Sequence, residues 1–284
     1  MKVVVAILLL AIASASAEII GHFEGHVVHH FKLQIPSDTS IYDFERDSRI
    51  INGSDAQIGQ FPFVARLSIV RTTSGSTCSG SLISPQYGLS ASHCVTPNPE
   101  TITNIGFLIG TVNRNVPGTT VNTNEFWFVE QPATLVRDLS MFRFAQPIQE
   151  TPAIGFIRLP ARSQQYYEWI GWPVTLIGWG RDNTGAGAIH KQFAQFRVLA
   201  NSVCSTRFTE YELCYVDDGT MSMSQPGDSG GPVIAFENGI MTQVGVHAGR
   251  RTVSGITFHS AVRLSHAFFL NWIETYSGIR IRDN

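Results

Sequence analysis

Lysine is nearly missing from this chain. Its 284 residues hold three, Lys2, Lys32 and Lys191, and only the last lies beyond residue 49. From residue 50 onward, 16 Lys and Arg are matched by 16 Asp and Glu, so that stretch carries no net formal charge. A field able to gather nucleic acid or an anionic membrane is therefore excluded. Long apolar runs are missing as well: past residue 17, nothing approaches the roughly 20 apolar residues that a spanning helix needs. Cysteine is scarce, at positions 78, 94, 204 and 214, and no pair has the C-x-x-C spacing of a zinc site. No short-period repeat occurs, which removes solenoid architectures.

What the chain does have begins at its N-terminus. Lys2 precedes an apolar run over residues 3–12, and Ala15-Ser16-Ala17 follows as an A-x-A site. That is the pattern of a secretory signal peptide over residues 1–17, which implies a secreted, extracellular protein. Export places the four cysteines in an oxidising compartment. Two disulfides are then expected, and arithmetic alone leaves three connectivities open.

Short β-rich runs dominate the body of the chain. Residues 63–70 partly alternate apolar and polar, and residues 173–179 read as a buried strand meeting a glycine. Residues 233–236 and 240–246 flank Glu237-Asn238-Gly239, where Asn238-Gly239 supplies the positive φ angles of a tight hairpin. Many short strands between Gly, Pro, Asn and Ser turns indicate an all-β barrel or sandwich. Residues 266–273 change period, with Phe268 and Trp272, and Phe269 and Ile273, paired at the i, i+4 spacing of a helix face.

The chemistry is concentrated in Gly227-Asp228-Ser229-Gly230-Gly231-Pro232. A serine hydroxyl is a poor nucleophile at neutral pH and needs an adjacent base, itself oriented by a third group. Glycines beside the serine let the backbone turn tightly and leave N–H groups free to converge on one spot. Taken alone, Gly227-x-Ser229-x-Gly231 also fits the nucleophile elbow of α/β-hydrolases. The partners decide. His93 sits in Ser90-Ala91-Ser92-His93-Cys94, and Asp138 opens Asp138-Leu139-Ser140-Met141-Phe142. Their order is His, Asp, Ser, whereas an α/β-hydrolase runs Ser, acid, His. A third anchor is Arg49-Ile50-Ile51-Asn52-Gly53.

On these three anchors the chain resembles the chymotrypsin-like serine proteases of the trypsin fold, from about residue 49 to 279. The resemblance implies an all-β fold of two six-stranded antiparallel β-barrels with a C-terminal α-helix. The first barrel would span about 50–165 and the second about 166–262, with the helix at about 264–277. It selects the disulfides Cys78–Cys94 and Cys204–Cys214. It implies a propeptide over 18–49, removed after Arg49 by an activating protease of trypsin-like specificity, and a peptidase domain over 50–284. The propeptide, with its four histidines, is expected to be solvated and partly disordered. Ser229 would be the nucleophile, His93 the general base and then acid, and Asp138 the group that orients His93. The N–H groups of Gly227 and Ser229 would form the oxyanion hole. The freed amine of Ile50 would be buried against Asp228 as the activation switch. Expected partners are polypeptide substrates and protein inhibitors, met by a monomer without cofactor or metal.

Substrate choice is read from four positions. In this family the residue six before the nucleophile, here Met223, lies at the base of the specificity pocket. His247 and Gly249 stand on the strand that binds substrate backbone, and a fixed-length count places Thr257 on the pocket wall. Neither Met223 nor Thr257 carries charge, so a buried guanidinium would lack a partner and apolar side chains are favoured, as in chymotrypsin or elastase. Asp217 and Asp218 are the nearby acids that keep a basic preference open. Three departures stand out. Gln225 replaces the first cysteine of the pocket disulfide, Pro226 precedes the oxyanion glycine, and His247-Ala248-Gly249 lacks the serine that supports the triad acid. The altered strand is the best support for the alternative, a catalytically weak homologue used as a binding scaffold.

Overall fold

The computed structural model describes residues 16–33, 50–96, 98–129, 136–180, 189–204 and 208–284. The apolar run of the signal sequence and Arg49 lie outside the described residues. Strands β1 (Ser16–Phe23) and β2 (His26–Lys32) form a hairpin ahead of the body, and a short β3 (Ser54–Asp55) follows. The first barrel is made by β4 (Val64–Arg71), β5 (Gly75–Leu82), β6 (Tyr87–Ser90), β7 (Ile102–Ile109), β8 (Thr119–Val129) and β9 (Ser140–Phe144). Their order is β8-β7-β4-β5-β6-β9, and pairing of β9 with β8 closes the ring. The second is made by β10 (Pro173–Gly178), β11 (Gln192–Leu199), β12 (Glu212–Asp217), β13 (Pro232–Glu237), β14 (Ile240–Val253) and β15 (Ile256–Arg263). It runs β10-β13-β14-β15-β12-β11 and closes through β10 and β11. A single turn, α1 (Asn201–Cys204), precedes β12, and α2 (Ala267–Ser277) ends the fold.

The local causes are visible in the pattern. Along β11, Gln192, Ala194, Phe196 and Val198 are buried while Gln195 and Arg197 are exposed, the period-two alternation of a strand with one wet face. Asn238 and Gly239 turn β13 into β14 at φ 50° and 80°, the left-handed values that such a hairpin turn requires. The His266 side chain accepts a bond from the Phe268 N–H to start α2, and Gly278 stops it at φ 71°. Helix α2 buries Phe268, Phe269, Trp272 and Ile273, the residues whose spacing marked a helix.

Each barrel has its own core, with Phe107, Phe126 and Phe142 in the first and Leu176, Phe196 and Tyr215 in the second. A third cluster joins them, combining Leu139 and Met141 with Ile177, Trp179, Ile234 and the face of α2. The expectation of a solvated segment before residue 50 gives way over 16–32, where strand β2 pairs with the outer half of β8. The reason is local: Val28, Phe31 and Leu33 find buried sites on the barrel, and their burial offsets the ordering cost.

Candidate active site

His93 lies in a 3-10 turn, Ser92–Cys94, directly after β6. The disulfide Cys78–Cys94 ties that turn to β5, and Cys204–Cys214 ties α1 to β12. Asp138 is fully buried at the start of the segment leading to β9. Its Oδ2 lies 2.5 Å from His93 Nδ1, and its Oδ1 accepts from the His93 N–H at 2.8 Å and from Ser92 Oγ at 2.9 Å. Burial by itself lowers the His93 pKa, while the hydrogen bond and charge of Asp138 raise it. The second influence prevails, and the pKa lies above the ordinary histidine value.

Ser229 stands in the loop between β12 and β13. The loop is held from both barrels. Ser79 on β5 donates its N–H to the Ser229 carbonyl at 2.8 Å and its hydroxyl to the Gly227 carbonyl at 2.9 Å. The same hydroxyl accepts the Trp179 N–H at 2.9 Å. From β14, the His247 carbonyl accepts the Gly230 N–H at 2.7 Å, and the His247 N–H donates to the Gly231 carbonyl at 2.9 Å. Gly230 has φ 81°, and a Cβ there would come within 2.4 Å of the Ser79 carbonyl and 2.8 Å of the Ala91 nitrogen. The residue after Ser229 is thus packed against the turn that carries His93. The N–H groups of Asp228, Gly230 and Gly231 donate to backbone carbonyls. Those of Gly227 and Ser229 find no acceptor among the described residues.

Asp228 is fully buried beneath this loop, where Oδ1 accepts from the Gly180 N–H at 2.6 Å and Oδ2 from the Gln225 N–H at 2.8 Å. On the side of β10 the approach is close enough that a Cβ on Gly178 or Gly180 would overlap the carboxylate. Burial outweighs the two N–H donors and pushes its pKa up to about 7. Ile50 is buried in the second-barrel core, and Ile51 exchanges backbone bonds with Met223 at 2.9 and 3.2 Å. The first residues after the Arg49-Ile50 junction are thereby held next to the loop that carries Asp228. Asn52, in the Asn52-Gly53-Ser54 glycosylation sequon, donates its side-chain N–H to the Met221 carbonyl at 3.0 Å.

The four specificity positions separate. Met223 and Thr257 line one apolar groove with Leu199, Val216 and Phe258. Gly249 faces open space, with nothing within 4 Å of where a Cβ would stand. The His247 side chain turns into the second barrel, where its Nδ1 meets the Tyr215 hydroxyl at 2.6 Å, away from Asp138. Burial, helped by the charges of His259 and His93, lowers its pKa well below the usual value, so it stays neutral. His259, which sequence reasoning passed over, stacks on Tyr215 and accepts the Ser224 N–H at 3.3 Å. Arg250 reaches Gln225 at 3.5 Å where the pocket disulfide of the family would cross. Of the nearby acids, Asp217 lines the same groove, and both have other partners. Asp217 accepts from Thr220, Ser222, Met221 and Gly219, which together outweigh burial and lower its pKa. Asp218 pairs with Arg197 at 2.9 Å.

Two closed six-stranded barrels, with a histidine-carboxylate pair and a glycine-flanked serine at their junction, define the class of double-barrel serine endopeptidases. The trypsin family model matches residues 50–273, and the chain belongs to that family. It is 28% identical over 251 residues to a collagenase from Hypoderma lineatum, covering 84% of this chain and 91% of the relative. A trypsin from Sarcophaga bullata is 27% identical over 199 residues, 66% of this chain and 75% of its own. Phenoloxidase-activating factor 3 from Holotrichia diomphalia is 23% identical over 259 residues, 82% of this chain and 70% of its own. The solved structure of HL collagenase superposes with a TM-score of 0.70 at 25% identity, covering 82% of this chain and 100% of that one.

Proposed function

We propose that the chain is the precursor of a secreted endopeptidase, activated by cleavage after Arg49, that prefers apolar side chains before the scissile bond. The observation that carries the enzyme reading over the scaffold is the pair of unengaged N–H groups at Gly227 and Ser229, beside the occupied N–H groups of Asp228, Gly230 and Gly231. They are the donors that an oxyanion at the attacked carbonyl requires. Asp138 holds His93 by Nδ1, which would leave Nε2 to take the proton of Ser229 Oγ. Ser229 then attacks the peptide carbonyl carbon, and His93 returns the proton to the departing amine. Water releases the acyl group by the same steps in reverse.

Activation follows from the state of Asp228. A buried carboxylate with two N–H donors, the distant charge of Arg250 and no ion-pair partner among the described residues holds its proton to about pH 7, and an amine released at Ile50 would supply a paired charge. The apolar preference is supported by uncharged Met223 and Thr257, by neutral His247 and His259, and by the engagement of Asp217 and Asp218. Cleavage after Arg49 followed by a serine-directed fluorophosphonate should label Ser229. A cleaved protein that takes no label is the scaffold instead. Peptide profiling should return apolar residues before the cut, and dominance of Arg or Lys would overturn the preference.

A further inference from the structure

We infer that the hairpin of β1 and β2 is retained after activation, as a non-covalent light chain seated on both halves of the enzyme. The inference rests on cleavage after Arg49. No cysteine lies before Cys78, so no disulfide can hold this segment. What holds it is a strand pairing. Val28, His29, His30, Phe31 and Lys32 oppose Val129, Phe128, Trp127, Phe126 and Glu125 on β8. Signal cleavage after Ala17 would trim two residues from β1 and leave β2 whole.

The side chains of the hairpin are part of the packed interior. Val28 belongs to the cluster that joins the barrels, and Phe31 and Leu33 belong to the first-barrel core. His29 stacks on Phe128, His30 on Trp127 and Phe31 on Phe126. His30 Nε2 meets the buried Glu125 carboxylate at 2.8 Å, on the oxygen not taken by Arg143. At the turn, Phe23 and His26 pack edge-on against Phe268 of α2, with centroids 5.4 and 5.5 Å apart. The hairpin therefore touches β8 at one end and the C-terminal helix at the other. Its departure would open an unpaired strand edge, expose the three stacked rings and strip His30 from Glu125.

The precursor, cleaved after Arg49 by a trypsin-like protease, should migrate as one species by native mass spectrometry, with the mass of both fragments. Denaturation should separate them. Amides of residues 126–129 should keep their slow hydrogen exchange after cleavage. Elution of the 50–284 fragment alone, still labelled at Ser229, would overturn the inference. The variant Phe31→Asp should lose the fragment on cleavage, and its retention would place the binding elsewhere. Fluorophosphonate labelling reports on the activation mechanism alone. A fragment that stays bound to an unlabelled enzyme would sink that mechanism and leave the light chain standing.

Discussion

Ser92 stands immediately before His93, the proposed general base, and its buried hydroxyl ends on Asp138. The strand that would bring a serine to Asp138 carries His247, whose ring is committed to Tyr215. Ser92 therefore supplies a hydroxyl bond that β14 does not. Hydrogen bonds to a charged group contribute about 1.5–3 kcal/mol, so Ser92→Ala should lower kcat roughly tenfold with little change in KM. The acidic limb of its pH profile should move upward, because a less satisfied Asp138 holds the His93 cation more tightly. An unchanged limb would indicate a merely structural hydroxyl. Asp228 makes a second prediction. In the precursor its pKa is raised from 3.8 to about 7, so the unfolded chain ionises first and stability is lost as pH rises through that window. That linkage is on the order of 4 kcal/mol, and loss of one N–H bond on substitution returns about half. Asp228→Asn should therefore stabilise the uncleaved protein at pH 8 by about 2 kcal/mol in denaturant titration, yet leave Ser229 unlabelled after cleavage.

At the scale of elements, the loop between β12 and β13 works because β5 holds it from the opposite barrel. The Ser79 hydroxyl spans Trp179 and Gly227, so Ser79→Ala frees Gly227, the proposed oxyanion glycine, and leaves the buried Trp179 N–H without its acceptor. A fall in kcat of about tenfold is expected, with peptide KM nearly constant. Equal loss in KM would point to the substrate pocket instead. Much of this architecture was legible beforehand. Partial alternation marked β4, an apolar run meeting a glycine marked β10, Asn238-Gly239 marked a hairpin, and Phe268 with Trp272 marked α2. Barrel closure was not, since β8 with β9 and β10 with β11 are long-range pairings that no local period encodes. The family resemblance supplied it. Motif order supplied the proposed triad positions, but the Ser92 contact was missed although the serine stands in the His93 motif. The hairpin before residue 50 was missed because its histidines read as polar, and only β8 reveals them as stacking rings. A fixed-length count reached Thr257, whereas His259 was overlooked because its contacts with Tyr215 and Ser224 are long-range.

For the molecule as a whole, the buried His247 and His259 on one side and Asp228 on the other set opposing slopes of stability against pH. His259 is depressed from 6.5 to about 4, so stability is lost as pH falls across that interval, by on the order of 3 kcal/mol. In the precursor, Asp228 works the other way over an overlapping range, and the two slopes offset. Pairing of Asp228 with the Ile50 amine would pull its pKa down and turn its slope to match that of His259. The cleaved enzyme should therefore lose more stability than its precursor between pH 6.5 and 4, read as the shift of denaturation midpoint. Equal shifts would mean that the amine never reaches Asp228.

Uncharged Met223 also has a kinetic meaning when set beside Arg49. An enzyme that disfavours arginine is a poor catalyst of its own maturation, so its accumulation carries no positive feedback. Active product should then build up in proportion to the upstream protease, without the lag and takeoff of an autocatalytic burst. With the proposed apolar preference, the output would be graded by the incoming dose and would stop when that supply stops.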